Sequence, residues 1–124
     1  MTVKQIGELT CSIGVTNLDR SIDWYGQILG FELLYRADEI GWCEMRTSIP
    51  GVNVGLSQNE SVPQGGGATP VWGVENIEAA KAHLDAHNVR QDGSIQVIDG
   101  LVKLITFFDP DGNSFMFSES LMAG

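Results

Sequence analysis

The chain contains one sequence pattern twice, and this repeat restricts the folds that it can adopt. Residues 14–21 read GVTNLDRS and residues 73–80 read GVENIEAA, and each position of the first segment lies 59 residues before its counterpart. A repeat with such a period indicates a supersecondary unit that cannot bury its apolar face alone. We therefore expect two similar modules, at residues 6–58 and 68–119.

Local sequence signals predict the order βαβββ for the first module. In residues 9–15 apolar side chains alternate with small or polar ones, which is the period of a strand with one buried face. Asn17 suits a helix N-cap, and Gly30 suits a left-handed residue at the helix end. Three further strands are predicted at residues 31–36, 41–47 and 52–57.

The second module repeats that order. Asn76 is again a helix N-cap, and the helix is predicted to end near Asn88. Residues 109–113 read DPDGN, a tight turn whose acids we attribute to turn chemistry rather than to metal binding. The strands of this module are predicted at 69–74, 94–98, 101–108 and 114–118. A glycine-containing linker at 59–67 joins the modules into a single domain over residues 1–124.

Charge and composition exclude some classes of partner. The 124 residues carry 16 acids and 7 Lys or Arg, a net charge of −9, which argues against nucleic-acid binding and permits attraction of a cationic ligand. No apolar run is long enough for a membrane span, and the N-terminus lacks the features of a secretory signal, so we expect a cytoplasmic protein. Cys11 and Cys43 fit no ligand spacing and are expected to be reduced core residues.

The two βαβββ units, the Val15-x-Asn17-Leu18 opening followed by Trp24-Tyr25, and the DPDGN turn together resemble the vicinal oxygen chelate superfamily. That superfamily includes glyoxalase I, extradiol dioxygenases, fosfomycin resistance enzymes and bleomycin-binding proteins. The resemblance covers residues 6 to 119 and implies an α+β fold, in which two modules form a strongly curved mixed sheet around a cleft. It also implies pairing as a homodimer. One fold hosts many chemistries, so the resemblance leaves the activity open.

The metal enzymes of that superfamily place four ligands on strands that face the cleft. The resemblance carries these positions onto Thr10, Thr69, Gly55 and Met116. Hydroxyls, a glycine and a thioether do not form a site for a hard divalent cation, so we expect no metal and no other cofactor. His83 and His87 are spaced to share one helix face, but no third ligand is evident, and we interpret them as exposed helix residues.

The same strand positions predict a small, neutral and partly apolar surface. Trp42, Glu44 and Arg46 share one strand face, where an aromatic plate beside a carboxylate would suit a flat or cationic organic ligand. The alternative is a Glu44–Arg46 pattern on a solvated sheet face. The complete candidate binding set is Thr10, Ser12, Trp42, Glu44, Arg46, Asn53, Gly55, Ser57, Thr69, Val71 and Met116.

These features predict a metal-independent protein that binds a small organic molecule, cationic or aromatic, as the bleomycin-binding relatives do. The alternative is a glyoxalase-like lyase or isomerase, or a dioxygenase-related enzyme, with a displaced metal site. A module without a small ligand is the third interpretation. The sequence assigns no catalytic residue, because neither Ser12 nor Ser57 has a histidine base in any motif.

Overall fold

The chain folds into two compact units, Met1–Val62 and Pro63–Gly124. The computed structural model describes residues 4–63 and 67–122. The centre of the predicted linker, residues 64–66, lies outside the described residues. Each unit contains one long helix and four strands in the order βαβββ, so the predicted α+β class and the module order are confirmed.

The first unit is a mixed four-stranded sheet with one helix. Its strands are β1 (Leu9–Val15), β2 (Glu32–Ala37), β3 (Trp42–Arg46) and β4 (Val52–Gln58), and its helix is α1 (Leu18–Leu29). The strand order is β1-β4-β3-β2. β1 runs parallel to β4, while β3 is antiparallel to both of its neighbours. A short 3₁₀ turn, Asp38–Ile40, joins β2 to β3.

The second unit has the same topology. Its strands are β5 (Val71–Gly73), β6 (Gln96–Ile98), β7 (Val102–Phe108) and β8 (Ser114–Ser120), and its helix is α2 (Ile77–Ala86). The order β5-β8-β7-β6 reproduces the order of the first sheet, again with a parallel pair between the first and last strands. β5 is shorter than the strand predicted at 69–74, and α2 ends before the predicted Asn88, whose φ of 55° is left-handed.

Both helices begin with the same arrangement of caps. Asn17 accepts a hydrogen bond from the Arg20 N–H, and Asn76 accepts one from the Ala79 N–H, as the sequence predicted. A second acceptor comes from the last strand of each unit: Gln58 Oε1 accepts from the Leu18 N–H at 2.9 Å. These bonds satisfy N–H groups that a helix cannot pair within itself.

The corresponding contact in the second unit uses a carboxylate in place of the amide. Glu119 Oε1 accepts from the Ile77 N–H at 2.8 Å. A negative charge at a helix N-terminus is favoured by the helix dipole. The repeat is therefore visible in the hydrogen bonding of the structure as well as in the sequence.

In each unit the helix covers one face of the sheet, and the alternate strand residues beneath it form the core. In the first unit Tyr25 of α1 is fully buried, as are the strand residues Cys43, Val54 and Leu56. In the second unit the core is aromatic, with the Phe107 ring centroid 5.6 Å from that of Phe115 and 4.5 Å from that of Phe117. The core residues of the second unit are Ile77, Leu84, Val89, Ile105, Phe107, Phe115 and Phe117.

The predicted burial is wrong at the start of β1, although the strand parity is as expected. Leu9 was expected on the buried face with Ile13 and Val15, yet the residue is 61% exposed while those two are buried. Leu9 is the first residue of β1 and Cys11 is only half-buried, so burial along β1 increases toward its carboxyl end. Among the described residues, no helix is long and apolar enough to cross a membrane.

The DPDGN segment is a turn organised by one buried carboxylate, as the sequence predicted. Asp109 Oδ1 accepts from the backbone N–H groups of Asp111 and Asn113, each at 2.9 Å. Asp109 Oδ2 accepts from Asn113 Nδ2 at 2.8 Å. Since the Asp109 residue is only 5% exposed, these three donors replace the water that an ionised carboxylate would otherwise need.

We predict graded destabilisation from two substitutions at this turn. Asp109→Ala leaves two backbone N–H groups without their acceptor and should lower the free energy of unfolding by about 2–4 kcal/mol. Asp109→Asn keeps one acceptor oxygen but places an amide against Asn113 Nδ2, and should cost about half as much. Urea denaturation measures both variants. Equal stability of Asp109→Ala and the parent protein would contradict this role.

Candidate functional site

The strand register of the first unit brings one set of polar and small residues to a single face of the sheet. Residues that are directly opposite in neighbouring strands point to the same side. Thr10 lies opposite Asn53, Ser12 lies opposite Gly55, and Gly55 lies opposite Glu44 on its other side. We name this side, which faces away from α1, the polar face; its residues are Thr10, Ser12, Tyr35, Trp42, Glu44, Arg46, Asn53, Gly55 and Ser57.

A hydrogen-bond network on the polar face is centred on the carboxylate of Glu44. Its Oε1 is 3.1 Å from the hydroxyl of Tyr35, which donates to it. Its Oε2 accepts from Asn53 Nδ2 at 2.9 Å and has a longer contact of 3.4 Å with the Thr10 hydroxyl. Three neutral donors thus surround Glu44, which is half-buried in the middle strand β3.

The direction of the Tyr35 hydroxyl follows from its second partner. Trp42 Nε1 is 3.2 Å from the Tyr35 oxygen, and an indole N–H can only donate. The Tyr35 oxygen therefore accepts from Trp42 and gives its own hydrogen to Glu44. This chain of two bonds fixes the indole ring beside the carboxylate.

Trp42 also lies against the backbone of β4. A Cβ atom at Gly55 would overlap Cζ2 and Cη2 of the Trp42 ring and would be 2.9 Å from Cζ3. Only a glycine allows this approach, because any other residue would push the ring away from the sheet. Gly55 is consequently buried beneath the indole, so the surface at this position is aromatic rather than the small-residue surface that was predicted for it.

Arg46 has a different partner from the one considered in the sequence. Arg46 Nη2 lies 2.6 Å from Glu32 Oε2, and these two residues are directly opposite in β2 and β3. The alternative Glu44–Arg46 pattern is therefore wrong. Both partners are exposed, so this pair contributes little to stability, whereas the Glu44 carboxylate is left without a cationic side chain among the described residues.

Tyr35 is the site residue that sequence reasoning missed. A β-bulge shifts the β2–β3 register between Leu33 and Tyr35. Leu33 lies opposite Met45, and after the bulge Tyr35 lies opposite Glu44. Without the extra residue, Leu34 would occupy that place and Tyr35 would point to the helix side. The sequence signal for Tyr35 was that it is an aromatic residue with a hydroxyl group in the strand predicted at residues 31–36.

The two cysteines of this unit are free thiols on strands that β4 separates. Burial raises the pKa of the Cys43 thiol, although its hydrogen bond with the Leu56 backbone acts in the opposite direction. Burial also raises the pKa of Cys11. Both thiols therefore remain protonated at neutral pH; Cys43 is a core residue as predicted, whereas Cys11 is only half-buried.

In the second unit, the three predicted site residues lie near the β5–β8 pair. Val71 is directly opposite Met116, and its side chain is 53% exposed. Thr69 precedes β5, and its hydroxyl oxygen is 2.7 Å from that of Ser114. These residues provide hydroxyls and apolar surface, and they form no network comparable to the one around Glu44.

His83 and His87 are exposed, as the sequence analysis expected of residues on one helix face. Their ring centroids are 4.5 Å apart, and His87 Nδ1 is 2.9 Å from the His83 carbonyl oxygen. Across residues 4–63 and 67–122, no three side chains of the His, Cys, Asp and Glu types cluster in a way that could hold a metal ion.

Comparison with known proteins identifies the fold. The sequence profile of the Glyoxalase/Bleomycin resistance protein/Dioxygenase superfamily matches residues 5–117. A glyoxalase family protein from Bacillus anthracis has a TM-score of 0.78 at 17% identity, covering 97% of this chain and 99% of that one. TioX from Micromonospora sp. ML1 has a TM-score of 0.74 at 19% identity, covering 91% of this chain and 98% of that one.

The fosfomycin resistance protein FosX from Listeria monocytogenes is a further structural neighbour. Its TM-score is 0.80 at 13% identity, covering 96% of this chain and 95% of that one. At these identities the likeness shows the fold alone. No curated protein matches the chain.

The residues present do not fit the metal that this fold can hold. A mutant of FosX was crystallised with Mn(II). The resemblance places the ligand positions of the first unit at Thr10 and Gly55, where this chain has one weak neutral donor and one residue without a side chain. The space next to Gly55, which a ligand side chain would need, holds the Trp42 ring.

We predict that Gly55→Ala displaces the Trp42 ring. The added methyl should lower the free energy of unfolding by about 1–3 kcal/mol and alter the near-UV circular dichroism of the protein. Gly73→Ala is the matched control, since a Cβ at that strand glycine has nothing within 4 Å. The same stability and spectrum for both variants would show that the ring does not rest on Gly55.

Proposed function

Because the chain belongs to the Glyoxalase/Bleomycin resistance protein/Dioxygenase superfamily, we propose that it binds a small organic molecule without a metal ion. The polar face of the first unit is the proposed site, and the ligand is an aromatic or cationic compound. A solved neighbour bears the name of a fosfomycin resistance protein, which supports a role in handling small molecules.

One observation carries this proposal. Glu44 is held by Tyr35, Asn53 and Thr10, which are all neutral, and no Lys or Arg within residues 4–63 and 67–122 forms an ion pair with its carboxylate. A rigid indole lies beside it, fixed by the Tyr35 hydroxyl and the Gly55 backbone. A cation with an aromatic ring would interact with both groups: its charge would pair with the Glu44 carboxylate, and its ring would stack on the Trp42 indole.

The electrostatics of the whole chain support the same ligand class. The net charge of −9 attracts cations, and this attraction extends over a distance that is set by the Debye length of the salt solution. Arg36 of the first unit is already paired with Asp19 and Asp38.

We predict that Glu44→Gln and Trp42→Leu each weaken the binding of an aromatic cation by about tenfold, because each removes one of the two interactions. A panel of aromatic amines is first screened by thermal shift, and the hits are titrated by calorimetry. Glu39→Gln is the control for charge, since Glu39 is an exposed carboxylate outside the polar face. A panel with no hits, or equal binding by all variants, would contradict the proposal.

The alternative, an enzyme of the lyase, isomerase or dioxygenase-related type with a displaced metal site, makes a different prediction. Native mass spectrometry of protein purified without chelator or affinity metal distinguishes the two. Protein that carries no metal and binds the amine supports a metal-independent site. One metal ion per chain would overturn it in favour of the enzyme.

We also propose that the chain forms a homodimer. β2 lies at an edge of the first sheet, and the apolar side chains of Leu33, Leu34 and Ile40 are 43%, 45% and 73% exposed. An edge strand with apolar side chains is a surface that proteins usually cover. Light scattering at micromolar concentration should give twice the 13.4 kDa chain mass. A monomer under these conditions would exclude the dimer.

A further inference from the structure

We infer that the polar face selects cations that present a single N–H group to Glu44 over flat, two-pronged cations such as amidinium and guanidinium. This inference rests on the proposed function, since it specifies the ligand of the same site. It follows from the hydrogen bonds that Glu44 already makes within the protein.

The acceptor positions of the Glu44 carboxylate are nearly full. Each carboxylate oxygen offers two lone-pair positions, four in all. Tyr35 occupies one position on Oε1, while Asn53 and Thr10 occupy both positions on Oε2, the Thr10 contact being the longer at 3.4 Å. No other donor of the described part of the chain bonds to Glu44, so one position stays open, and it is on Oε1.

An amidinium or guanidinium group pairs with a carboxylate through two parallel N–H groups, one to each oxygen. At Glu44 the second prong would have to displace the Thr10 hydroxyl or the Asn53 amide from Oε2. The second prong would thus gain one hydrogen bond only by replacing an existing one, so it adds little to the binding free energy, and replacing the part-buried Asn53 amide costs more than replacing the exposed Thr10 hydroxyl.

The Tyr35 hydroxyl cannot accept the second N–H group in place of the occupied Oε2 atom of Glu44. Its oxygen accepts from Trp42 Nε1 and its hydrogen goes to Glu44, so its donor and its acceptor are both used. An ammonium with one N–H group needs only the open position on Oε1, and its aromatic substituent can still lie on the indole. Tyr35 is thus a positioning residue that limits how Glu44 can be approached.

Three probes with the same 2-naphthyl ring test this inference: the protonated N,N-dimethyl-naphthylmethylamine, with one N–H; naphthamidine, with two parallel N–H groups; and naphthylmethyl-trimethylammonium, with none. Calorimetry should show the tertiary ammonium binding about tenfold tighter than either of the others. Amidinium binding that equals or exceeds ammonium binding would overturn the inference and leave the proposed function standing. No binding of any probe would count against both.

Removing a donor from Glu44 Oε2 should change the preference for ammonium over amidinium. Loss of a merely structural contact would leave that preference unchanged. In Thr10→Val the hydroxyl is lost with little change in shape, so the amidinium should gain about fivefold relative to the ammonium. Asn53→Ala provides a second variant with the same expected direction. Gln27→Ala, on the exposed surface of α1, is the control and should keep the parent ratio. An unchanged ratio in both Thr10→Val and Asn53→Ala would overturn the inference.

Discussion

The packing of one helix against one face of each four-stranded sheet determines the rest of each unit. Because side chains alternate along a strand, burying Cys43, Met45, Val54 and Leu56 on the helix side turns their neighbours to the other side. The helix side is constrained by volume and must remain apolar. The opposite side is free of that constraint in the first unit, and the unusual polar contacts of the unit are concentrated there.

The metal positions of this fold illustrate that freedom. The β-sheet and its helix are maintained without any metal ligand, since neither Thr10 nor Gly55 has a role in the core beneath α1. The glycine at position 55 leaves space at the sheet surface, and the indole of Trp42 from the neighbouring strand occupies it. This part of the polar face is therefore aromatic, with the Glu44 carboxylate beside the ring.

The sequence predicted most of the fold because its signals are local. The N-cap residues Asn17 and Asn76, the helix end at Gly30 and the turn at Asp109 depend on neighbours within a few residues, and all four are confirmed. The repeat also aligned the two modules. Strand parity assigned Thr10, Glu44 and Asn53 to one face of the first sheet, where they are in contact.

The parts that the sequence did not predict depend on contacts between strands. Tyr35 reaches the polar face only because of a bulge, and a one-residue change of register is invisible to a pattern of alternation. Arg46 was considered with Glu44 along the same strand, whereas its partner Glu32 lies across the sheet. Gly55 was predicted to line the binding surface, whereas the Trp42 ring from the neighbouring strand covers it.

The caps at the two helix starts have a consequence for the order in which each unit can fold. Leu18 donates to Gln58 across 40 residues, and Ile77 donates to Glu119 across 42. The first helical N–H is therefore satisfied only after the last strand has joined the sheet beside the first one. Loop closure over such a distance is a late and entropically costly event, so neither helix is completed by local sequence alone. Each unit should consequently form its helix start and its parallel strand pair together, and a chain cut before the last strand would lose both.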